Sequence, residues 1–330
     1  MENPPVFTND AIVLGLLMIS LGFVFLTSSK KSGFWKRFYS VVPALLMCYL
    51  LPAIFNSLGI ISDSTSSLYT VASQYFLPAA LVLMTLSIDL KAVFNLGPKA
   101  LIMFFTGTIG IIIGGPIAIL IVSAFSPETV GGVGPDAIWR GLSTLAGSWI
   151  GGGANQAAML EIYEYNPAKY GQMVLVDIVV ANLWMALLLM GIGKSDKIDN
   201  WLKADTSAIT QLKDKVSAYA ASITRNPSLA DFMVMLALAF GAVGIAHWGA
   251  NGISDFLRAN FDAINDTKSA LASFSSEFFW MITIATAIGI LLSFTRFKQY
   301  EGAGASKIGS IFIYFLVATI GMKMDLTMVF

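Results

Sequence analysis

The chain has 330 residues, of which 56% are hydrophobic and only 12% are charged. Charged residues make up about a quarter of an ordinary soluble domain, so this composition excludes that class and indicates a polytopic membrane protein. The 20 basic and 20 acidic residues balance without a basic stripe among aromatics, which gives nucleic-acid binding no support, and one cysteine with one histidine excludes a disulfide framework and a Cys/His zinc cluster.

Apolar runs of about 17 to 25 residues are long enough to cross a bilayer as helices. The first run follows Glu2 and Asp10 and precedes four basic residues. That order is the reverse of a cleavable signal peptide, so it predicts a retained helix with its N-terminus outside. The predicted all-α fold has spanning helices at 11–27, 38–58, 70–90, 100–125, 171–191, 229–249, 278–294 and 308–326.

A ninth apolar segment, at about 139–160, contains three consecutive glycines. Each glycine costs a helix about 1 kcal/mol relative to alanine, so the segment should break there. A break at membrane depth needs a polar cavity or a protein environment, and such breaks form substrate sites in secondary transporters. The alternative is that Gly147 and Gly151 only provide a small-residue packing face. The predicted substrate contacts are Gly151, Gly152, Gly153, Ala154, Asn155 and Gln156.

The distribution of lysine and arginine predicts that this segment is a re-entrant hairpin. If it enters from outside and returns, the loops at 29–37, 91–99, 194–228 and 295–307 share one side and hold 15 basic residues, against 3 in the opposite segments. Basic residues collect in cytoplasmic loops, so the alternative, a full crossing that places residues 194–228 outside, is disfavoured. We therefore expect a multi-pass protein of the inner cell membrane, with Trp139 and Tyr163 together at the outer interface.

An internal repeat divides the chain. The sequences IDLKAVF at 88–94 and MDLTMVF at 324–330 share four identical residues at an offset of 324 − 88 = 236. Equivalent loops carry opposite charges, as inverted-topology repeats do. This predicts a first membrane repeat at 1–193 with five spanning helices and the hairpin, an amphipathic cytoplasmic linker at 194–228, and a second repeat at 229–330. The second repeat lacks its own hairpin, so either the sequence is truncated and this repeat is incomplete, or the repeat assignment is wrong. Residues 251–276 predict a further amphipathic helix on the outer face.

Asp177 is a carboxylate inside a predicted spanning helix. An intramembrane charge costs at least about 2.5–3.5 kcal/mol on the insertion scale, so it is a functional candidate. Asn182 follows five residues later, about 140° around the helix. Together they predict a cation site for Na⁺, which oxygen ligands suit, or for a coupling proton. The alternative is a carboxylate that hydrogen-bonds between helices without a transport role. No other metal or cofactor is predicted.

The predicted function is secondary active transport. Glycine N–H groups and the positive end of a half-helix attract anions, so the expected partner is a small anionic or zwitterionic solute, coupled to Na⁺ or H⁺. A cation/proton antiporter and a channel with a glycine-rich re-entrant loop stay open as alternatives, as does a homodimer. An enzyme is not predicted, because His247 is the single histidine and no serine lies in a Gly-x-Ser-x-Gly motif.

Three stretches carry a resemblance to a known family: SWIGGGANQ at the break, the following helix with Asp177 and Asn182, and TLSIDLKAVFNLG. They resemble the bacterial membrane family of domain of unknown function 819, which is grouped with the cation/proton antiporter and anion transporter clan. The break is also similar to the Gly-Gly-x-Gly re-entrant loops of 2-hydroxycarboxylate and sodium/glutamate symporters. The resemblance implies a transporter fold with two crossed inverted halves and a site at the hairpin tip, and it assigns no substrate.

Overall fold

The computed structural model describes residues 5–88, 98–192, 201, 223–265, 271–324 and 326, and every regular element within them is helical. The predicted all-α class is therefore confirmed. The helices are α1 (Asp10–Ser28), α2 (Gly33–Tyr39), α3 (Ala44–Ser57), α4 (Leu68–Leu86), α5 (Pro98–Ser123), α6 (Ile138–Gly151), α7 (Gly153–Ile162), α8 (Tyr170–Ile192), α9 (Leu229–Asn260), α10 (Glu277–Ser293) and α11 (Ala305–Lys323). Short helical turns lie at Asp63–Thr65, Pro127–Thr129, Gly134–Asp136, Asp262–Asn265, Ala272–Ser275 and Arg296–Ala303.

The lengths of these helices fit a multi-pass membrane protein. Within the described residues, six helices (α1, α4, α5, α8, α9 and α11) are long and apolar enough to cross a bilayer. Two bent pairs can supply two more spans: α2 with α3, at 95°, and α10 with the turn Arg296–Ala303, at 96°. The upper count of eight agrees with the eight spans predicted from apolar runs. The chain is therefore embedded in a lipid bilayer through several helices.

Two of the predicted helices have different bounds in the structure. The run at 38–58 does not form one helix, because Pro43 separates α2 from α3 and proline cannot continue a preceding helix. The segment at 251–276 is not a separate amphipathic helix: its first part continues α9 to Asn260, since its apolar spacing stays in phase with that helix. Most of the predicted linker at 194–228 and most of both repeat motifs lie outside the described residues.

Helices α4 and α11 form the centre of the fold. In each, 56% of the apolar window is buried, the largest share among the candidate spans, and the two helices pack against each other. A π-helical turn at Ala72–Phe76 interrupts α4, where Phe76 stacks on Phe312 with ring centroids 4.9 Å apart. In the same turn the carbonyl of Gln74 accepts a hydrogen bond of 2.9 Å from Nε2 of His247 on α9. By contrast, no residue in the apolar window of α5 is buried.

The first and last three spans repeat one set of contacts. Helix α3 packs on α11 and α10 packs on α4; α1 touches α3 and α11, while α9 touches α10 and α4. Exchanging α1, α3 and α4 for α9, α10 and α11 reproduces the same contacts. Helices α3 and α10 end at Ser57 and Ser293, and 293 − 57 = 236 is the offset of the repeat motifs.

Glycines allow the closest of these crossings. A Cβ added at Gly321 of α11 would lie 2.9 Å from Cα of Tyr49 on α3 and would overlap its carbonyl oxygen. At the equivalent crossing, a Cβ at Gly289 of α10 would lie 3.0 Å from the carbonyl oxygen of Val82 on α4. In both places one backbone rests directly on another, as small residues permit in membrane helices.

We expect Gly321→Ala to lower the free energy of unfolding by about 1–3 kcal/mol, because the added methyl forces α3 and α11 apart. Thermal unfolding of the purified protein in detergent measures the change. Gly22→Ala in α1 is the control, since nothing lies within 4 Å of the added Cβ and alanine is the better helix former. An unchanged melting temperature for Gly321→Ala would contradict the described crossing.

Candidate functional site

The glycine-rich segment is broken at one residue. Helix α6 ends at Gly151 and α7 begins at Gly153, and Gly152 between them has φ 85° and ψ −173°, a backbone region open essentially to glycine alone. The N–H of Gly152 donates to the carbonyl of Ser148 at 2.7 Å, and the carbonyl of Gly152 accepts from the N–H of Gln156 at 3.1 Å. The predicted break is therefore confirmed, and the segment is not a continuous rod.

The two arms of the break pack side by side as a hairpin. At its base the rings of Trp139 and Tyr163 meet edge to face at 5.6 Å, so the predicted pairing of these aromatics is confirmed. Nearer the tip, a Cβ at Gly147 would lie 2.9 Å from the carbonyl oxygen of Asn155, and one at Gly151 would overlap the Asn155 amide. The packing role considered for these two glycines is thus present, but within the hairpin.

A polar clip joins the chain before α6 to the chain after α7. The carboxylate of Asp136 accepts hydrogen bonds from Nδ2 of Asn166 at 2.7 Å and pairs with Nζ of Lys169 at 3.0 Å. The hydrogen bond from Asn166 and then that from Lys169 lower the pKa of Asp136 below its ordinary value. The clip fixes the base of the hairpin and leaves its tip as the end furthest from these restraints.

The tip presents backbone donors. Gly151 and Gly152 are exposed, whereas Ala154 and Gln156 are buried. Within the described residues no side chain caps the N-terminus of α7. The first N–H groups of a helix have no intrahelical acceptor, so those of Gly153, Ala154 and Asn155 are free of the helix ladder. Gln156 is only 2% exposed, and its Nε2 has no partner among the described residues.

Asp177 on α8 is bound to the other side of the break. Its half-buried carboxylate accepts hydrogen bonds of 2.7 Å from Oγ of Ser148 and of 2.7 Å from Nε1 of Trp149. Both donors lie in the last turn of α6, immediately before the glycines. The carboxylate therefore stands at a helix C-terminus, where unpaired carbonyls already concentrate partial negative charge.

The second residue predicted for the cation site lies elsewhere. The side chain of Asn182 is exposed, and its Nδ2 donates to the carbonyl of Ile178 in its own helix at 2.8 Å. The structure therefore does not bring Asn182 to Asp177, because five helical positions rotate it by about 140°. The sequence analysis did not identify Ser148 and Trp149 as site residues. Their one signal in the sequence is the position of a hydroxyl and an indole in the turn before three glycines.

Comparison with known proteins identifies the family of this chain. A family model described as "Protein of unknown function (DUF819)" matches residues 15–330. The chain belongs to the DUF819 family. The chain is also similar to the "Uncharacterized membrane protein YjcL" of Bacillus subtilis (strain 168), with 22% identity over 318 residues, 93% of this chain and 73% of that protein. No solved structure matches significantly. The part matched to the DUF819 model includes the whole hairpin and Asp177, so the resemblance based on those stretches is confirmed.

Proposed function

We propose that this DUF819 protein is a secondary active transporter of the inner cell membrane, with its N-terminus outside, and not an enzyme. Its solute is small and anionic or zwitterionic, and its coupling ion is Na⁺ or H⁺. The observation that carries the proposal is the break at Gly152, with the carboxylate of Asp177 bound to the helix end on one side of it.

The break brings two opposite electrostatic ends within one residue. The C-terminal end of α6, together with Asp177, favours a cation, whereas the N-terminal end of α7 favours an anion through its free N–H groups. Broken helices in transporters bind coupling ions and anionic substrates with these same two ends. A cation at one end lowers the electrostatic cost of an anion at the other, so the two binding events reinforce each other.

The cation would compete with two existing hydrogen bonds. Asp177 accepts from Ser148 and Trp149, and a proton or Na⁺ on the carboxylate weakens both. The hydroxyl of Ser148 can turn and offer its oxygen to Na⁺, whereas the indole of Trp149 can only donate. Cation binding would therefore release the last turn of α6 from α8, which gives the ion a direct mechanical effect on the tip.

The length of the hairpin arms supports a re-entrant position. Helix α6 has 14 residues and α7 has 10. At 1.5 Å per residue these arms extend about 21 Å and about 15 Å, both short of the roughly 30 Å hydrocarbon core. Each arm can reach partway into the bilayer, where a polar tip is tolerated only beside a cavity or other protein.

The exchange of contacts between the first and last three spans supports an internal repeat, and the opposite charges of equivalent loops favour inverted halves. Two sets of helices with equivalent packing can adopt two equivalent arrangements, which is the physical basis of alternating access. A channel with a glycine-rich loop does not need two equivalent arrangements of its helices. A cation/proton antiporter would use Asp177 but would transport no organic solute. The site favours a transported organic solute over both alternatives, because the N-terminus of α7 offers hydrogen-bond donors for an anionic group.

A flux experiment tests the proposal. Purified protein is reconstituted into liposomes, and uptake of labelled small carboxylates and amino acids is followed under an imposed Na⁺ or pH gradient. We expect saturable uptake of at least one solute class that requires one of the gradients and has a fixed ion-to-solute ratio. Ohmic ion currents that ignore every solute would contradict coupled transport and favour a channel.

A further inference from the structure

A cavity of about 850 Å³ lies at the base of the hairpin, and the tip does not line it. Its walls come from the hairpin base, from α9, from the start of α10 and from Gln74 in the π-helical turn of α4. This volume lies within the range of about 300–1,000 Å³ that is typical of small-molecule sites. The cavity is therefore separate from the proposed tip site and large enough for a metabolite.

Four charged side chains line this cavity, and two of them are paired. Nη1 of Arg258 lies 3.4 Å from Oε1 of Glu277. Arg140 and Glu164 form no ion pair with any residue in the part of the chain that the structure describes. Both residues line the cavity at the hairpin base, where Nη1 of Arg140 donates to the carbonyl of Tyr163, the residue just before the exposed Glu164. Nε of Arg140 is buried and has no partner among the described residues.

The backbone at Glu164 is in the left-handed region. Helix α7 ends in a Schellman motif, in which Tyr165 N–H donates to the Leu160 carbonyl at 3.1 Å and Glu164 N–H donates to the Glu161 carbonyl at 3.2 Å. Glu164 occupies the left-handed position of this motif, with φ 48°. Glycine or asparagine is the usual residue there, because a larger side chain is strained. Residues in strained backbone positions cluster at functional sites, so a carboxylate in such a position beside a cavity is a candidate ligand contact.

We propose that this cavity binds a zwitterionic solute that carries a carboxylate and an ammonium group on one small frame, such as an α-amino acid. The carboxylate accepts hydrogen bonds from Arg140, and the ammonium group pairs with Glu164. The formal charges of Arg140, Arg258, Glu164 and Glu277 sum to zero, which favours a dipolar solute over one with a net charge. The inference rests on the proposed transport function. It names the class of solute and a site where the solute binds before it reaches the tip of the hairpin.

Binding of free amino acids to the purified protein in an uncharged maltoside detergent tests the proposal. Isothermal titration first screens α-amino acids, then compares the best ligand with its deaminated acid and its decarboxylated amine. We expect the zwitterion to bind at least tenfold more tightly than either, and Glu164→Gln to weaken its binding at least tenfold. Glu128→Gln, in an exposed turn outside the cavity, is the matched control and should change nothing. Equal affinities for the three ligands, or for Glu164→Gln and wild type, would overturn the assignment.

Glu164→Gly separates function from folding. Glycine fits the left-handed position without strain, so we expect zwitterion binding to fall as in Glu164→Gln while the melting temperature rises by roughly 2 °C. A purely structural glutamate would give a lower melting temperature instead, and that result would count against the proposal.

Two further arms identify the source of a bound zwitterion and the step that fails. Phosphatidylethanolamine carries the same two kinds of charge, so the titration is repeated in nanodiscs with and without this lipid. A higher melting temperature in the presence of the lipid, without binding of any free amino acid, would overturn the solute assignment. Amino-acid binding without gradient-driven uptake would leave this site standing and contradict the transport function. Uptake that is insensitive to Glu164→Gln would contradict only this site.

Discussion

Gly152→Ala should abolish most gradient-driven uptake, whereas Gly153→Ala, which keeps the backbone N–H that the proposed anion site uses, should reduce uptake far less. Gly152 has φ 85° and ψ −173°, and a side chain in this region costs of the order of 1–3 kcal/mol. Nothing lies within 4 Å of a Cβ at either glycine. The expected difference therefore comes from backbone conformation and not from a steric clash. Because the base of the hairpin is fixed by Asp136 and by Arg140, the strain is relieved by rearranging the tip.

Uptake into liposomes and melting temperature, measured on both variants, check this expectation. Gly153→Ala is the matched control, because it adds the same methyl next door at a residue without a positive φ. If Gly152→Ala transports like the wild type, the left-handed break is not needed for function. If the two variants lose activity equally, open space at the tip matters more than its backbone conformation.

Asp177→Asn should eliminate the dependence of uptake on the ion gradient while the protein stays folded. Asparagine has nearly the same shape, and its carbonyl oxygen can still accept from Ser148 or Trp149, so the link between α8 and α6 is partly kept. The negative charge that would attract Na⁺ or bind the proton is lost. A tenfold or greater loss of cation affinity, about 1.4 kcal/mol, is the smallest effect consistent with a direct ligand.

Asp177→Asn is compared with Trp149→Phe, Ser148→Ala and Asn182→Ala. Trp149→Phe removes one donor to the carboxylate and keeps the charge, so cation affinity should be retained or raised. Ser148→Ala should reduce Na⁺ affinity if the hydroxyl becomes a ligand, and should have little effect on proton coupling. Asn182→Ala should behave like the wild type, because Asn182 is exposed and bonded to its own helix. Undiminished coupled uptake in Asp177→Asn would remove this residue from the mechanism.

The sequence predicted those features that depend on local chemistry. Three adjacent glycines were enough to predict the break, and the pairing of Trp139 with Tyr163 followed from placing both aromatics at one interface. The boundary between α2 and α3 and the continuation of α9 depended instead on Pro43 and on helical phase, which the apolar runs alone did not resolve.

The remaining features depend on contacts between distant parts of the chain. Asp177 meets Ser148 across 29 positions, and no local pattern indicates which polar residue of α6 will face α8. The sequence gives no signal for Glu164, because its left-handed conformation appears only once the Schellman hydrogen bonds are known. The cavity at the hairpin base joins five separate stretches of the chain, so the sequence could predict its aromatic rim but not its unpaired charges.

The unequal burial of the helices has an evolutionary consequence. No residue in the apolar window of α5 is buried, so any apolar side chain should be tolerated there. The sequence of α5 can therefore vary widely among DUF819 relatives. In α10 and α11, Gly289 and Gly321 rest on a neighbouring backbone and have no such freedom. An alignment of the family should therefore show a variable α5 beside nearly fixed small residues at these two positions.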